Sequence, residues 1–295
     1  MEFSIVIATK DRAHYLERAL ASLQSQTGSP PFEVVVADNG STDSTASVVE
    51  RYAGGGTAVR YVAAPQPNRA LARNRGVEAA RGRYVLFCDD DVQLPYGWIA
   101  AHAAAHRGGG DIVVNGPILN VPSYASRPGP KATNYSRAFL CTCNASLSKE
   151  SFLRVGGFDE SFNLYGWEDT ELGLRLRGAG MHWKFAWDAY LWHVKPPQED
   201  TLTVQSRKAV ERARMARRFV FKHPSLRARL ATGAHALNLL RARLLLPDWL
   251  LAVCGGLTAR GNLPRWAAAI LRAQFLDGVY TRELLRAFRE PARHD

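Results

Sequence analysis

Short apolar runs alternate with helical segments through the first 90 residues, and this alternation is the feature that most restricts how the chain can fold. Leucines and alanines with helical spacing predict a helix over 13–26, and a second helix is predicted over 69–80. Strands that alternate with helices predict an α/β fold with a mainly parallel sheet and helices on both faces. The predicted strands are Phe3–Ala8, Glu33–Ala37, Val59–Val62 and Arg83–Cys88.

Polar residues follow three of these strands at the point where each strand ends. Thr9–Arg12 follows the first strand, Asp38 the second, and Asp89–Asp91 the fourth. In open α/β sheets, ligands bind beyond the carboxyl ends of the strands. The three groups are therefore expected to share one ligand site.

The three consecutive carboxylates Asp89, Asp90 and Asp91 come directly after the apolar run that ends at Cys88. In isolation they are equally consistent with a helix start or a solvated turn. Like charges this close repel one another unless a cation lies among them. Their oxygen atoms, together with a diphosphate, suit Mg²⁺ or Mn²⁺.

Other polar residues have two interpretations each. Asp38 is either part of an Asx turn or an acceptor for the imide N–H that uracil, thymine and guanine offer. Asp169, in a predicted first helical turn, either stabilises the helix dipole or takes a proton from an attacking hydroxyl. His193 is either a core histidine or a metal ligand, and Trp167 lies where a sugar face could stack.

Taken together and in this order, these segments resemble those of glycosyltransferase family 2, whose members have the GT-A fold. Each segment is weakly specific by itself, whereas all of them in register are highly specific. The last 95 residues lie outside the resemblance. The matching segments are 9–12, 38–43, 72–76, 89–91, 156–159, 168–169 and His193.

The resemblance implies a metal site and a nucleotide site. Asp89 and Asp91 occupy the family's Asp-x-Asp positions, and Asp91 is expected to bind Mn²⁺ or Mg²⁺. His193 matches a third metal ligand, and Asp89 or Asp90 would contact the ribose or share the metal. The residues expected to bind the nucleotide are Thr9, Arg12, Asp38, Arg73, Asp89 and Asp90.

The resemblance also implies the reaction. Asp169 matches the catalytic base, while Glu168 and Trp167 are expected to bind the acceptor. The implied reaction transfers a sugar from a nucleotide diphosphate donor, expected to be a UDP-sugar, to an acceptor hydroxyl with inversion at the sugar carbon. A saccharide or a lipid-linked acceptor is expected, as in the synthesis of cell-surface polysaccharides or glycoconjugates.

The formal net charge of +11 arises from the last 95 residues, which carry 18 Lys and Arg against 6 Asp and Glu. The first 200 residues carry 20 against 21. This change predicts a GT-A catalytic domain over 1–197, with a nucleotide-sugar half (1–116) and an acceptor half (117–197), and a basic helical extension over 198–295. Residues 117–136 are rich in proline and too long for an ordinary connection.

The basic extension is consistent with three partners: an anionic membrane surface, the catalytic domain itself, or a second copy of the chain. No apolar run reaches the roughly 20 residues that a membrane span needs, and the N-terminus lacks the apolar stretch of a signal peptide. The four cysteines are interpreted as reduced thiols. A cytoplasmic location is therefore expected, and contact of the basic extension with a membrane would place the protein at the inner face of the cell membrane.

Two other functions compete with sugar transfer. A nucleotidyltransferase usually has a glycine-rich basic loop after its first strand, where this chain has Thr9–Arg12 without glycine. The net charge of +11 also suggests a nucleic-acid-binding protein. However, the basic extension has no recognisable binding motif, and three aspartates would repel phosphate without a metal. Nucleic acid is therefore not expected as a partner.

Overall fold

The computed structural model describes residues 1–64, 66–245, 247–259 and 263–289, and they divide into two units. The first unit comprises Met1–Asn163 and Glu168–Pro196, and the second comprises Leu164–Trp167 and the described residues from Pro197 onward. The assignment of the short segment Leu164–Trp167 to the second unit differs from the sequence-based division, which placed this segment in the acceptor half. It groups with the second unit because the ring of Trp167 stacks on Phe219 of that unit, with 5.2 Å between ring centroids.

A seven-stranded sheet forms the centre of the first unit. Its strands are β1 (Phe3–Thr9), β2 (Phe32–Asp38), β3 (Ala58–Ala63), β4 (Tyr84–Cys88), β6 (Ile112–Asn115), β8 (Asn144–Ser148) and β9 (His182–Phe185). Their spatial order is β3-β2-β1-β4-β8-β6-β9. All neighbours pair in parallel except β8, which runs antiparallel to both β4 and β6. The prediction of a mainly parallel α/β sheet of the GT-A type is confirmed.

The register of the central strands brings the predicted polar groups to one edge. Thr9 pairs with Asp38 across β1 and β2, and Ile7 pairs with Cys88 across β1 and β4. The residues that follow Cys88 are therefore neighbours of Thr9 at the carboxyl end of the sheet.

A second sheet of three short strands, β5 (Val92–Gln93), β7 (Ile118–Val121) and β10 (Leu191–Val194), has the order β5-β10-β7. His193 pairs with Val92, so this sheet carries His193 to the carboxylates that precede Val92. Strand β7 lies within the proline-rich segment 117–136, where the sequence predicted no strand. Its four residues are too few to show the alternation that identifies a strand.

Helices cover both faces of the central sheet. Neighbouring residues of β1 point to opposite faces, and because they are apolar, both faces must be buried. Ile5 and Ile7 are fully buried in one apolar cluster with Leu16, whereas Val6 is buried in another with Leu172. The helices of the first unit are α1 (Ala13–Gln24), α2 (Thr45–Ala53), α3 (Arg69–Ala79), α4 (Trp98–His106), α5 (Lys149–Arg154) and α6 (Glu168–Gly178).

The second unit is helical in its described residues. Charged pairs connect its last helix to its first and to its third helix: Arg214 lies 2.6 Å from Glu283, and Arg241 lies 2.6 Å from Asp277. Within the part of the chain that the structure describes, no helix has both the length and the apolar character needed to cross a bilayer. The helices are α7 (Leu202–Lys222), α8 (Leu226–Thr232), α9 (Ala236–Leu245), α10 (Asp248–Ala259) and α11 (Arg265–Arg289).

Candidate active site

The loops after β1 and β2 are bonded to each other and form one wall of the site. Asp11, which has a left-handed backbone (φ 50°), accepts hydrogen bonds from the backbone N–H and the hydroxyl of Thr42 at 2.7 and 3.1 Å. The Asp11 N–H donates to the hydroxyl of Ser41 at 2.9 Å. These contacts fix the backbone between Thr9 and α1, where Arg12 lies.

Arg12 neutralises two of the three consecutive carboxylates. Its guanidinium lies 3.2 Å from Asp90 and 3.0 Å from Asp91. The Thr9 hydroxyl donates to Asp90 at 2.7 Å. The predicted nucleotide residues Thr9, Arg12 and Asp90 are therefore in direct contact, with the two aspartates almost completely buried.

The buried aspartates have opposite pKa shifts. Burial, together with the neighbouring carboxylates of Asp91 and Asp89, raises the pKa of Asp90 to about 7 against the opposing effect of Arg12. Burial alone would also raise the pKa of Asp91, but contacts with His193 and Arg12 lower it to about 2. Asp91 is therefore the carboxylate that stays ionised at neutral pH, as a metal ligand must.

The contact between Asp91 and His193 suits a divalent cation. Asp91 Oδ1 is buried and, within the described residues, has no hydrogen-bond partner, although His193 Nε2 lies 2.9 Å away. Two adjacent ligands of an octahedral ion, each about 2.1 Å from it, are about 3 Å apart. A carboxylate oxygen and an imidazole nitrogen are also ligands that Mn²⁺ accepts.

Asp89 and Cys143 complete this group. One ligand atom each of Asp89, Cys143 and His193 lie within 4.8 Å of one another, and the Cys143 sulfur is 3.8 Å from His193 Nδ1. The predicted metal residues Asp89, Asp91 and His193 thus lie close together. Cys143 was not predicted, because it precedes β8 and is 50 residues from His193 in sequence. Burial raises the pKa of the Cys143 thiol well above its usual range, which favours the neutral thiol.

Arg73, on α3, connects these carboxylates to α6. Its guanidinium lies 3.6 Å from Asp89, 3.4 Å from Glu168 and 3.9 Å from Asp169. Burial would lower the pKa of Arg73, but Asp169, Asp89 and Glu168 raise it, so the cation is retained. The predicted nucleotide residue Arg73, the predicted acceptor residue Glu168 and the predicted base Asp169 therefore belong to one ion-pair network.

Asp169 is held by Thr142, which lies just before β8. The Thr142 N–H donates to Asp169 Oδ2 at 2.8 Å, and its hydroxyl lies 2.8 and 2.9 Å from the two carboxylate oxygens. Partial burial and the adjacent Glu168 raise the pKa of Asp169 to about 6, against the opposing effects of Arg73 and Thr142. The Asp169 side chain is 27% exposed, so a substrate oxygen can reach a carboxylate that is ionised at neutral pH.

Asp38 forms the turn that was one of its two predicted roles. Its Oδ1 accepts hydrogen bonds from the N–H and hydroxyl of Ser41 at 2.9 and 2.6 Å. Its Oδ2 accepts from the Tyr61 hydroxyl at 2.5 Å, and burial, together with this contact, raises the pKa of Tyr61 to about 12. One lone pair of Oδ2 remains for a ligand, because each carboxylate oxygen can accept two hydrogen bonds.

Trp167 is the one predicted residue that belongs to the second unit. Its backbone is left-handed (φ 74°), and its indole N–H donates to the Arg212 carbonyl at 3.0 Å. With its ring stacked on Phe219, the polar edge of Trp167 is used within that unit. Its role in acceptor binding stays a prediction.

Comparison with known proteins gives matches over most of the chain. The model of glycosyl transferase family 2 matches residues 4–156, and a model described as the N-terminal domain of galactosyltransferase matches residues 129–223. A validoxylamine A glucosyltransferase from Streptomyces hygroscopicus subsp. limoneus is 32% identical over 264 residues, which cover 76% of this chain and 57% of that protein. A chondroitin synthase from Pasteurella multocida (strain Pm70) is 28% identical over 246 residues, covering 68% and 25%. The chain thus spans less than two thirds of the length of these relatives.

Solved structures share the fold at low sequence identity. A mannosyltransferase from Pyrobaculum calidifontis, in complex with GDP-Man and Mn²⁺, aligns with a TM-score of 0.65 and 18% identity over 96% of this chain and 87% of its own. Staphylococcus aureus TarS 1-349, in complex with UDP-GlcNAc, aligns with a TM-score of 0.56 and 20% identity over 98% and 92%.

Proposed function

Because the chain belongs to glycosyltransferase family 2, we propose that it transfers a sugar from a nucleotide diphosphate donor to an acceptor hydroxyl, with inversion at the sugar carbon. The observation that carries this proposal is the position of Asp169. An ionised, partly exposed carboxylate lies in one ion-pair network with Arg73 and Asp89, next to the predicted nucleotide and metal residues.

The donor is proposed to be a UDP-sugar. Asp38 retains a lone pair on Oδ2 at the end of β2, where it can accept the imide N–H of uracil. Thr9 lies beside it in register. The solved neighbours contain UDP-GlcNAc in one case and GDP-Man in another, so guanine, which also has an imide N–H, is the competing base.

Asp91 and His193 would hold a divalent ion, with Asp89 as the third ligand. Such an ion, Mn²⁺ or Mg²⁺, supplies positive charge for the leaving diphosphate. Arg73 adds a second, permanent positive charge beside Asp89. These residues thus stabilise the negative charge that develops on the departing nucleotide.

Asp169 accepts the proton of the acceptor hydroxyl as that oxygen attacks the sugar carbon. General-base assistance of this kind is typically worth about 10²- to 10⁴-fold in rate. Glu168 is the poorer candidate for the base, because its carboxylate is only 10% exposed and faces Arg73 at 3.4 Å. A single displacement inverts the configuration at the sugar carbon and needs no covalent enzyme intermediate.

A saccharide acceptor is the class supported by the relatives, which include a protein named chondroitin synthase. A lipid-linked saccharide is equally compatible with the site. Both fit the proposed role in the synthesis of cell-surface polysaccharides or glycoconjugates.

The transfer proposal is tested by incubating the purified protein with a panel of nucleotide sugars and Mn²⁺, without nucleic acid. Release of UDP from one UDP-sugar, abolished by chelator, is the expected result. The anomeric configuration of the product, measured by NMR, should be opposite to that of the donor. Retention of configuration, or pyrophosphate release instead of UDP release, would contradict the proposal.

The second unit is proposed to contact an anionic membrane surface. It combines an excess of arginine with exposed aromatic side chains, since Trp249 is 67% and Trp266 is 70% exposed. Basic and aromatic residues together bind membrane interfaces, with about 1 kcal/mol from each basic residue near anionic lipid. The apolar run Leu244–Leu246 lies close to Trp249 in the sequence, and its last residue, Leu246, lies outside the described residues.

Liposome flotation tests this contact. The protein should float with vesicles that contain phosphatidylserine and not with phosphatidylcholine alone, and Trp249→Ala with Trp266→Ala should reduce flotation. Trp187→Ala, at a 42% exposed position of the first unit, is the matched control. If the protein floats with neither lipid and sediments as a dimer, self-association replaces the membrane as the role of this unit.

A further inference from the structure

A cavity of about 510 Å³ lies in the first unit, away from the carboxylates described above. Gln93 and Trp192, which pair across β5 and β10, both line it. Their neighbours along the same strands, Val92 and His193, point to the opposite face because side chains alternate along a strand. The cavity therefore lies on the face of the small sheet opposite to His193.

Aromatic side chains form much of the cavity wall. Tyr190 and Trp192 have ring centroids 5.6 Å apart and planes at 80° to each other. Tyr96, at the rim, is 77% exposed. Rings at right angles leave no parallel slot for a flat nucleotide base, but they present two walls to the C–H groups of a sugar ring.

Two arginines give the cavity a positive charge that its lining does not neutralise, because no Asp or Glu is among the described residues that line it. Arg18 lies over the ring of Tyr124 at 5.7 Å, and Arg127 lies over the ring of Trp192 at 5.9 Å. Within the described residues, neither guanidinium forms an ion pair with a carboxylate. Guanidinium groups bind carboxylate and phosphate groups with paired hydrogen bonds.

Neighbouring polar groups hold this arrangement in place and leave one group unsatisfied. With its amide oriented to suit its neighbours, Gln93 donates to the Tyr124 carbonyl at 3.0 Å and accepts from Arg127 at 2.7 Å. The Trp192 indole donates to the Pro128 carbonyl at 2.9 Å. In contrast, the hydroxyl of Tyr124 is buried without a hydrogen-bond partner among the described residues.

We propose that this cavity binds an anionic saccharide, with the sugar ring against Tyr190 and Trp192 and its carboxylate or phosphate group on Arg18 and Arg127. A volume of about 510 Å³ suits a mono- or disaccharide. The site is distinct from the proposed transfer site and does not depend on transfer activity.

Binding is tested by calorimetric or NMR titration of the full chain with three probes. Cellobiouronic acid and cellobiose differ only in a carboxylate that replaces a hydroxymethyl group, and glucose 6-phosphate supplies the phosphate alternative. Arg18→Gln and Arg127→Gln, singly and together, remove the charges at exposed positions. Arg107→Gln, at an exposed position after α4, is the matched control.

An acidic probe should bind at least about 10-fold more tightly than cellobiose, and the double arginine variant should lose that difference. Arginine-dependent binding of either acidic probe supports the proposal and identifies the anion. Equal binding of acidic and neutral probes would overturn it, as would an equal loss in Arg107→Gln. Displacement of the acidic probe by UDP would also overturn it, because the probe would then lie in the nucleotide site.

Discussion

The substitution Thr142→Val tests how the protein sets the protonation of Asp169. It removes the hydroxyl that lies 2.8 and 2.9 Å from the two carboxylate oxygens, while the backbone N–H that donates to Oδ2 remains. A hydrogen bond to a charged group contributes about 1.5–3 kcal/mol, which corresponds to about one to two pKa units. The pKa of Asp169, about 6 in the intact protein, should therefore rise to between about 7 and 8.

The sign of the effect follows from the role of a base. Asp169 acts only when ionised, so activity is lost as pH falls through its pKa, and a higher pKa moves this loss to higher pH. At pH 7 the ionised fraction should fall from about 0.9 to between about 0.5 and 0.1, which lowers kcat about 2- to 10-fold.

The pH dependence of kcat at saturating donor is the assay. Thr142→Val should regain the activity of the intact protein near pH 9, and Thr142→Ser, which keeps the hydroxyl, should retain the original profile. An unchanged acid limb in Thr142→Val would refute the reasoning. So would a loss of kcat that persists at pH 9, because Thr142 would then act through orientation alone.

Two further predictions concern the metal and the core. Chelation or Asp91→Ala should abolish turnover without unfolding the protein, and His193→Ala should weaken Mn²⁺ affinity about 10-fold or more, measured by titration; full activity in excess chelator would contradict the metal site. Gly76→Ala should destabilise the protein by about 1–3 kcal/mol in urea denaturation, because the added Cβ would lie 2.6 Å from a Val6 methyl. Gly54→Ala, with nothing within 4 Å of the added atom, is the control, and equal stability of the two variants would contradict the packing argument.

The carboxyl-terminal edge of the main sheet could be predicted from sequence because its strands are long and apolar. The six-residue run from Phe3 to Ala8 shows strand character by itself, and the acidic residues after Cys88 mark where another strand ends. Parallel pairing then brings Thr9, Asp38 and the aspartates to one edge. This part of the site depends on local sequence patterns alone.

The residues that complete the site could not be predicted in this way. Thr142 contacts Asp169 across 27 positions of sequence, and Cys143 contacts His193 across 50. Strand β5 has two residues, so the small sheet that carries His193 has no detectable periodicity. Thr142 lies two residues before β8, and a polar residue just before a strand was the one available signal for it, which many loop residues share.

The cavity lined by Tyr190 and Trp192 could not be predicted from sequence either, because Arg18 is far from Arg127 and Trp192 along the chain. Arg18 lies on the exposed side of α1, where a charged residue is usual, and Arg127 lies in a proline-rich segment. The pairing of β10 with β5 and β7 places Trp192 beside Gln93 and close to the segment after β7 that contains Arg127. Such a site is difficult to predict from sequence, because each of its residues also fits an ordinary structural role in its own segment.

The assignment of Asp169 as the general base is tested most directly by comparing kcat for Asp169→Asn and Glu168→Gln at saturating donor and acceptor. Asn keeps the shape of the side chain but cannot take the proton, so Asp169→Asn should lower kcat by about 100-fold or more while the donor Kd is unchanged. Glu168→Gln should act mainly through the acceptor KM. If Asp169→Asn keeps near-normal kcat and Glu168→Gln is inactive, the base is Glu168 and the proposed mechanism is contradicted.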